Sequence, residues 1–208
     1  MVDGELTLVA PSSKYVEDAV YGEAVAATYP PDPTSPPGSA APMPFDAMGA
    51  RRRIEDFLEA CPRGRQRGDR LAGKVPAYHF WMMIDPAHLG VRAAGGDGLV
   101  GPSRIAGGIG LRVGQNRELE FFSGHIGYHV FPQCRGRHLA ARACRLLLPL
   151  CRAHKLTPLW ITTNPDNTPS RKTCLRLGAR LVDTVAIPED HPFFARGETH
   201  KCRYRLDL

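Results

Sequence analysis

A chain of 208 residues with a 43% hydrophobic fraction and a formal charge of +6 can bury one full core and is short for several. No stretch approaches the ~18 apolar residues of a membrane span, and the N-terminus lacks a charged-then-apolar secretion signal. A single cytoplasmic domain over residues 1–208 is therefore expected, with no membrane partner. Six cysteines without a C-x-x-C pair and eight histidines without metal-ligand spacing predict reduced, mostly buried thiols and no metal site. The cationic excess gathers in Arg51-Arg52-Arg53 and in residues 63–70. It suits a polyanionic ligand or a solvated surface, and it lacks the interleaved aromatics that base stacking on nucleic acid needs.

Residues 5–10 alternate apolar and polar side chains and predict a strand; residues 15–27 predict a helix. The Pro-, Ser- and Gly-rich stretch 30–44 predicts a loop. A second helix is expected over 51–60, ending near Pro62. Strands follow at 78–84 and 104–113, joined through a Gly-rich connection at 93–98, and 119–130 reads as one longer strand closed by Pro132. Helix 136–154 would bury Leu139, Ala143, Leu146, Leu147, Leu150 and Cys151, set Arg142, Arg145 and Arg152 on the opposite side, and kink at Pro149. A short buried strand is expected at 158–163. The next helix would have Thr168 as its N-cap, Pro169 at its first position and Gly178 as its C-cap. Residues 180–187 and 201–206 predict the last strands, joined by a long loop at 188–198. The order β-α-α-β-β-β-α-β-α-β-β makes the fold class α/β (α+β).

The segment Gln133-Cys134-Arg135-Gly136-Arg137-His138-Leu139-Ala140 lies where a strand ends and the longest helix begins. No acidic residue follows in the first turn. A helix N-terminus carries unsatisfied N–H groups and partial positive charge, so cations crowded there make electrostatic sense around a bound phosphate.

In these residues the chain resembles the GNAT superfamily of N-acetyltransferases. Arg135-Gly136-Arg137-His138-Leu139-Ala140 aligns with the family's acetyl-CoA motif, Gln/Arg-x-x-Gly-x-Gly/Ala. Gly124 to Val130 looks like the family's fourth strand. Asn167, Ser170, Cys174 and Gly178-Ala179 keep the spacing of a downstream family signature, and residues 75–81 with 124–128 look like one bacterial branch of predicted acetyltransferases. The resemblance implies a mixed central sheet of about seven strands, splayed between the fourth and fifth, with about four helices. It implies acetyl-CoA as acyl-donor cosubstrate. Main-chain groups of Tyr128, His129 and Val130 would pair with its pantetheine, and N–H groups of Arg137, His138, Leu139 and Ala140 would hold its pyrophosphate. Gly136 would allow close approach, Arg135 and Arg137 would add charge, Asn167 would hold the pantetheine arm, and Ser170 and Arg171 would lie nearby.

Two positions depart from the family pattern. His138 stands where Gly is usual, either obstructing the pyrophosphate or adding a donor. Cys174 stands where the family's general acid, a Tyr, is usual; a thiol titrating near ~8.5 could protonate a leaving thiolate, and a packed core cysteine is the alternative. For the base, strand alternation groups Phe121, Ser123, His125, Gly127 and His129 on one face. His125, titrating near ~6.5, falls where many members carry Glu, and Glu120 is a second candidate. His125 could equally be a satisfied polar residue on a sheet face.

The resemblance places the acceptor, an amine not identified by the sequence, between loops 30–44 and 188–198. Glu189, Asp190 and Glu198 could attract a cationic amine there, or form a solvated acidic loop. The function implied is acetyl transfer to an amine of a small molecule or peptide by direct attack in a ternary complex. A non-catalytic acyl-CoA sensor and an acetyltransferase directed at RNA or ribosomal protein are the alternatives, and a homodimer is compatible.

Overall fold

The computed structural model describes residues 1–28, 45–69, 74–85 and 104–208. The expected loop 30–44, the connection 93–98 and Arg70 lie outside these residues. A short hairpin, β1 (Val2–Asp3) and β2 (Leu6–Val9), leads into α1 (Val16–Ala27). Helix α2 (Ala47–Ala60) starts ahead of the expected position because Asp46 caps it, its side chain accepting from the Gly49 N–H at 3.0 Å. Then come β3 (Arg65–Gln66), β4 (Ala77–Ile84), β5 (Ile105–Arg112) and β6 (Ile126–Val130). The C-terminal part is α3 (Leu139–Ala153), β7 (Leu159–Thr163), α4 (Thr168–Arg176), β8 (Arg180–Ala186) and β9 (His200–Leu206).

The strands form two antiparallel sheets, β1-β2-β4-β5-β6 with β3 beside β4, and β7-β9-β8. Strands β2, β4, β5, β6, β7, β8 and β9 are the long ones; β1 and β3 have two residues each. The sheets meet at β6 and β7, the fourth and fifth long strands, and no ladder joins them. That open seam is the splay implied by the resemblance.

Two corrections matter for the site. Residues 119–130 are not one strand. Leu119–Ser123 wind into a π-helical turn, started by the Asn116 side chain, which accepts from the Leu119 N–H at 2.8 Å. Gly124, at φ 66° and ψ 164°, then redirects the chain into β6. A Cβ there would fall 2.9 Å from the Thr162 nitrogen on β7, so only glycine packs at this junction. The third helix also starts later than expected. Gly136 and His138 both take left-handed backbone, φ 84° and 57°, so α3 begins at Leu139; it then continues through Pro149 to Ala153.

Helix α3 covers one face of the seam. Leu139, Leu147 and Cys151 pack with Met82, Leu111 and Ile126 of the first sheet and Leu159, Ile161 and Tyr204 of the second. Helices α1 and α2 cover the opposite face of β4 and β5, where Val16, Val20, Ile54, Met83 and Ile105 form a separate cluster. All six cysteines are buried and unpaired. Arg142, expected on the solvent side of α3, instead holds the N-terminal hairpin: Nε donates to Asp3 at 2.7 Å and Nη1 to Glu5 at 2.5 Å.

Candidate active site at the open seam

The main chain of β6 decides what the seam offers. Arg112 N–H donates to the His125 carbonyl and Phe131 N–H to the Ala106 carbonyl, with Gly108 opposite His129 between them. Antiparallel alternation then assigns the main-chain groups of Gly127 and His129 to β5 and turns those of Ile126, Tyr128 and Val130 toward the seam. The expectation for His129 is corrected accordingly: its peptide groups are committed to β5. The Val130 carbonyl accepts from Arg135 Nε at 3.2 Å, which fixes this arginine beside the seam.

Directly after this edge lies the start of α3. No side chain caps it, and no acidic residue occupies its first turn. His138, itself left-handed and exposed, is the N-cap position, and its carbonyl receives the Arg142 N–H. The N–H groups of the first helical turn, beginning at Leu139 and Ala140, therefore emerge toward the end of β6. A Cβ on Gly136 would meet no atom within 4 Å, so this glycine leaves open space as well as supplying its positive φ.

Across the seam stands α4. Its N-cap is Asn167, not Thr168, because the Asn167 Oδ1 accepts from the Ser170 N–H at 3.0 Å. Ser170 Oγ also contacts the Tyr128 hydroxyl at 2.9 Å, bridging β6 and α4. Arg171 donates from Nη1 to the Pro165 carbonyl at 3.0 Å and from Nε toward the Tyr204 hydroxyl at 3.3 Å. Cys174 is fully buried beneath this bridge, and burial pushes its thiol up to about 12. A thiol so buried and so weakly acidic is poorly matched to protonating a leaving thiolate.

His125 sits at the vertex of the seam rather than in a reactive position. It is 1% exposed. Its N–H donates to the Trp160 carbonyl at 2.7 Å, and its Nδ1 accepts from the Trp160 N–H at 2.9 Å. A backbone N–H can only donate, so Nδ1 is unprotonated and Nε2 carries the hydrogen given to the Gly114 carbonyl at 2.9 Å. Both nitrogens are used, and burial lowers the pKa. The imidazole supplies the acceptor that a missing β6–β7 ladder would have supplied. This displaces His125 from the role of base. Glu120 is also turned away: its carboxylate lies 3.5 Å from Arg203, whose Nε and Nη2 grip Asp183 at 2.7 and 2.8 Å.

On the face opposite α3, the strands floor a cavity of about 940 Å³ reached by α1, α2 and the loop after β8. Its floor contains Gly108, Gly110 and Gly127. Above these glycines lie His79, Arg112 and His129; of the three, only His129 is a site residue expected from sequence, and there through its main chain. A Cβ on Gly108 would come 2.7 Å from His129 Cε1, and one on Gly110 would come 3.2 Å from His79 Nδ1. The signal was present in Gly107-Gly108-Ile109-Gly110, since glycine inside a strand marks close approach. Arg112 Nη1 donates to the Ser123 and Gly124 carbonyls at 3.1 and 3.2 Å, closing the turn onto the floor.

Glu118 lines the rim of the cavity. It accepts from the Ser123 hydroxyl and from His191 Nε2 at 3.0 Å; His191 Nδ1 is fixed by the Phe193 N–H at 3.1 Å. Loop 188–198 is thus tied to the π-helical turn. Glu198, expected to attract a cationic acceptor, is instead neutralised by Lys201, which also donates to Asn164 at 2.7 Å. Glu189 and Asp190 are exposed.

An open seam between two sheets, followed at once by an uncapped helix N-terminus, is the architecture of an acyl-CoA-dependent acyltransferase. Residues 6–180 match the family model described as an acetyltransferase (GNAT) domain, and the chain belongs to that family of N-acetyltransferases. Solved structures agree in fold. The microcin C7 self-immunity acetyltransferase MccE, bound to acetyl-CoA and AMP, superposes with a TM-score of 0.60 at 15% identity, over 99% of this chain and 94% of that one. A putative ribosomal-protein-serine acetyltransferase from Vibrio cholerae gives 0.58 at 16% identity, over 100% and 96%. RimL, a ribosomal-protein α-N-acetyltransferase in complex with coenzyme A, gives 0.57 at 14% identity, over 100% and 97%. A comparison with curated proteins finds no match.

Proposed function

We propose that the protein transfers an acetyl group from acetyl-CoA to an amine of a small molecule or peptide, by direct attack within a ternary complex. The observation that carries this reading is the continuity of the seam with the bare start of α3. Main-chain groups of Tyr128 and the Val130 N–H would pair with the pantetheine amides as an added strand would, the Val130 carbonyl being taken by Arg135. First-turn N–H groups at Leu139 and Ala140, with the open space at Gly136, the charges of Arg135 and Arg137 and the imidazole of His138 as a donor, would hold the pyrophosphate. Asn167, Ser170 and Arg171 would bound the pantetheine on the α4 side. The fit is physical as well as positional: the edge is unpaired by a ladder, and the helix start has no competing acid.

The acceptor would enter from the glycine-floored cavity. Its nitrogen attacks the thioester carbonyl carbon, the C–S bond breaks, and the thiolate leaves. Microcin and ribosomal-protein acetyltransferases among the structural neighbours support a small molecule or a peptide amine as acceptor classes. The basic cluster on α2 gives little support to RNA, since Arg51 pairs with Glu17 at 2.6 Å and Arg53 with Glu23 at 3.0 Å.

The test is thiol release from acetyl-CoA over a panel of amines and short peptides. Acceptor-dependent release supports transfer. A sensor is the second reading, favoured by the burial of both Cys174 and His125; acetyl-CoA binding without release across the panel would select it.

A further inference from the structure

Resting on the proposed transfer reaction, we propose that His129 takes the proton from the attacking amine, through one water, on the cavity side of β6. The strand positions this side chain. Tyr128 and His129 are neighbours on β6 and point to opposite faces, Tyr128 toward α4 and His129 into the cavity. The His129 ring lies over Gly108 of β5, where any side chain would displace it, and meets Phe131 edge-on with ring centres 5.6 Å apart. It is exposed to the cavity, and among the described residues neither ring nitrogen has a hydrogen-bond partner.

The competing groups are excluded one by one. His125 has both nitrogens engaged and is buried. His79 faces the same cavity but stands on β4, two strands from the seam, or ~9.5 Å at ordinary strand spacing, and its Nε2 is 3.2 Å from Gln66 Oε1. That exceeds the reach of a base acting directly or through one water. Glu118 spends its carboxylate on Ser123 and His191. Cys174 lies on the other face. His129 alone combines the seam strand, cavity access and open nitrogens among the described residues.

Its surroundings favour the neutral form that a proton acceptor needs. Burial by the cavity walls lowers the pKa. The charged and titratable groups lining the same cavity are His79 from β4, Arg112 from β5, Glu118 before the π-helical turn, Glu23 from α1, Arg53 from α2, Lys74, and Tyr128 of β6, whose hydroxyl is held by Ser170. In the reaction, the C–N bond forms as the C–S bond breaks. The amine proton passes through water to an imidazole nitrogen, and the thiolate leaves with the C–S electron pair. His129 returns its proton to solvent, which also protonates the thiolate.

The experiment measures thiol release from acetyl-CoA with alanyl and seryl tripeptides, 2-phenylethylamine, or water alone as acceptor, for wild type, His129→Gln and Gly108→Ala. Acetyl-CoA binding is followed separately by calorimetry. Expected is a fall in kcat of about 100-fold or more for His129→Gln. Acetyl-CoA affinity should stay within about twofold, and the acidic limb of the kcat–pH profile should disappear. Gly108→Ala, which displaces the ring while keeping it, should lower kcat in the same direction. A His129→Gln enzyme that keeps both kcat and the acidic limb overturns the proposal and leaves the transfer reading intact. Wild type that binds acetyl-CoA yet releases no thiol with any acceptor also overturns it. Wild type that does not bind acetyl-CoA overturns the underlying reading itself.

Discussion

His125 shows how a residue type can suit one chemistry while its neighbours assign it another. An imidazole on a strand at the reacting centre is a reasonable base by sequence. In the fold it accepts from Trp160 and donates to Gly114, holding two sheets together at the vertex where no ladder forms. His125→Ala should therefore cost about 2–3 kcal/mol of folding free energy, through an unpaired buried N–H and a vacated volume; urea unfolding measures it. The pH dependence follows with its sign. Burial lowers the pKa of His125, as it does for His79 and His129. The folded chain then binds fewer protons than the unfolded chain, so this stability is fully present above the unfolded value near ~6.5 and is lost as pH falls through the folded value. His125→Ala should flatten the stability slope between about pH 7 and pH 5; an unchanged slope would mean that His125 is not held neutral. Gly136 makes a contrasting case. Its φ of 84° in open space means that Gly136→Ala meets strain without a clash, expected at about 1–2 kcal/mol by the same unfolding measurement.

At the level of elements, hydrophobic alternation and helical periodicity located the long strands and the four α-helices among the described residues, with β6 drawn too long at its start. Where they failed, a polar side chain or a backbone sign had intervened. The run 119–130 alternates well enough to read as one strand, yet Asn116 offers Leu119 a local hydrogen bond and Gly124 turns the chain by positive φ. Neither is visible to a pattern of apolar residues. For the same reason the parity grouping of Phe121, Ser123 and His125 with His129 dissolved, while Gly127 and His129, inside β6, kept their common face. Helical spacing sets Arg142 opposite the buried face of α3 but cannot show its partners Asp3 and Glu5, which are distant in sequence. Its removal in Arg142→Ala should cost about 1–2 kcal/mol, discounted for partial exposure, and the cost should shrink with added salt. Unfolding curves at low and high ionic strength check both statements; a cost independent of salt would point to packing of the arginine stem instead.

For the whole molecule, the seam is the organising feature. Two antiparallel sheets meet at β6 and β7 without a ladder, one face carries α3 and α4, and the other carries a glycine-floored cavity beneath α1 and α2. The proposed cofactor side draws on contiguous residues, Arg135 to Ala140 and Asn167 to Gly178, which a motif can mark in sequence. The proposed acceptor side does not, because His79, Gly108, Arg112, Glu118 and His129 come from separate elements and converge only on folding. The measurement that bears most directly on the acetyl-CoA site is a paired one on Ala140→Glu, which adds a carboxylate to the first turn of α3. At a helix N-terminus that carboxylate should leave folding stability unchanged or raise it by about 0.3–1 kcal/mol. The same charge would oppose a pyrophosphate, so acetyl-CoA affinity by calorimetry should fall at least tenfold, equivalent to about 1.4 kcal/mol. Retained stability with lost affinity is the predicted result; retained stability with unchanged affinity would contradict the placement of the cofactor on α3.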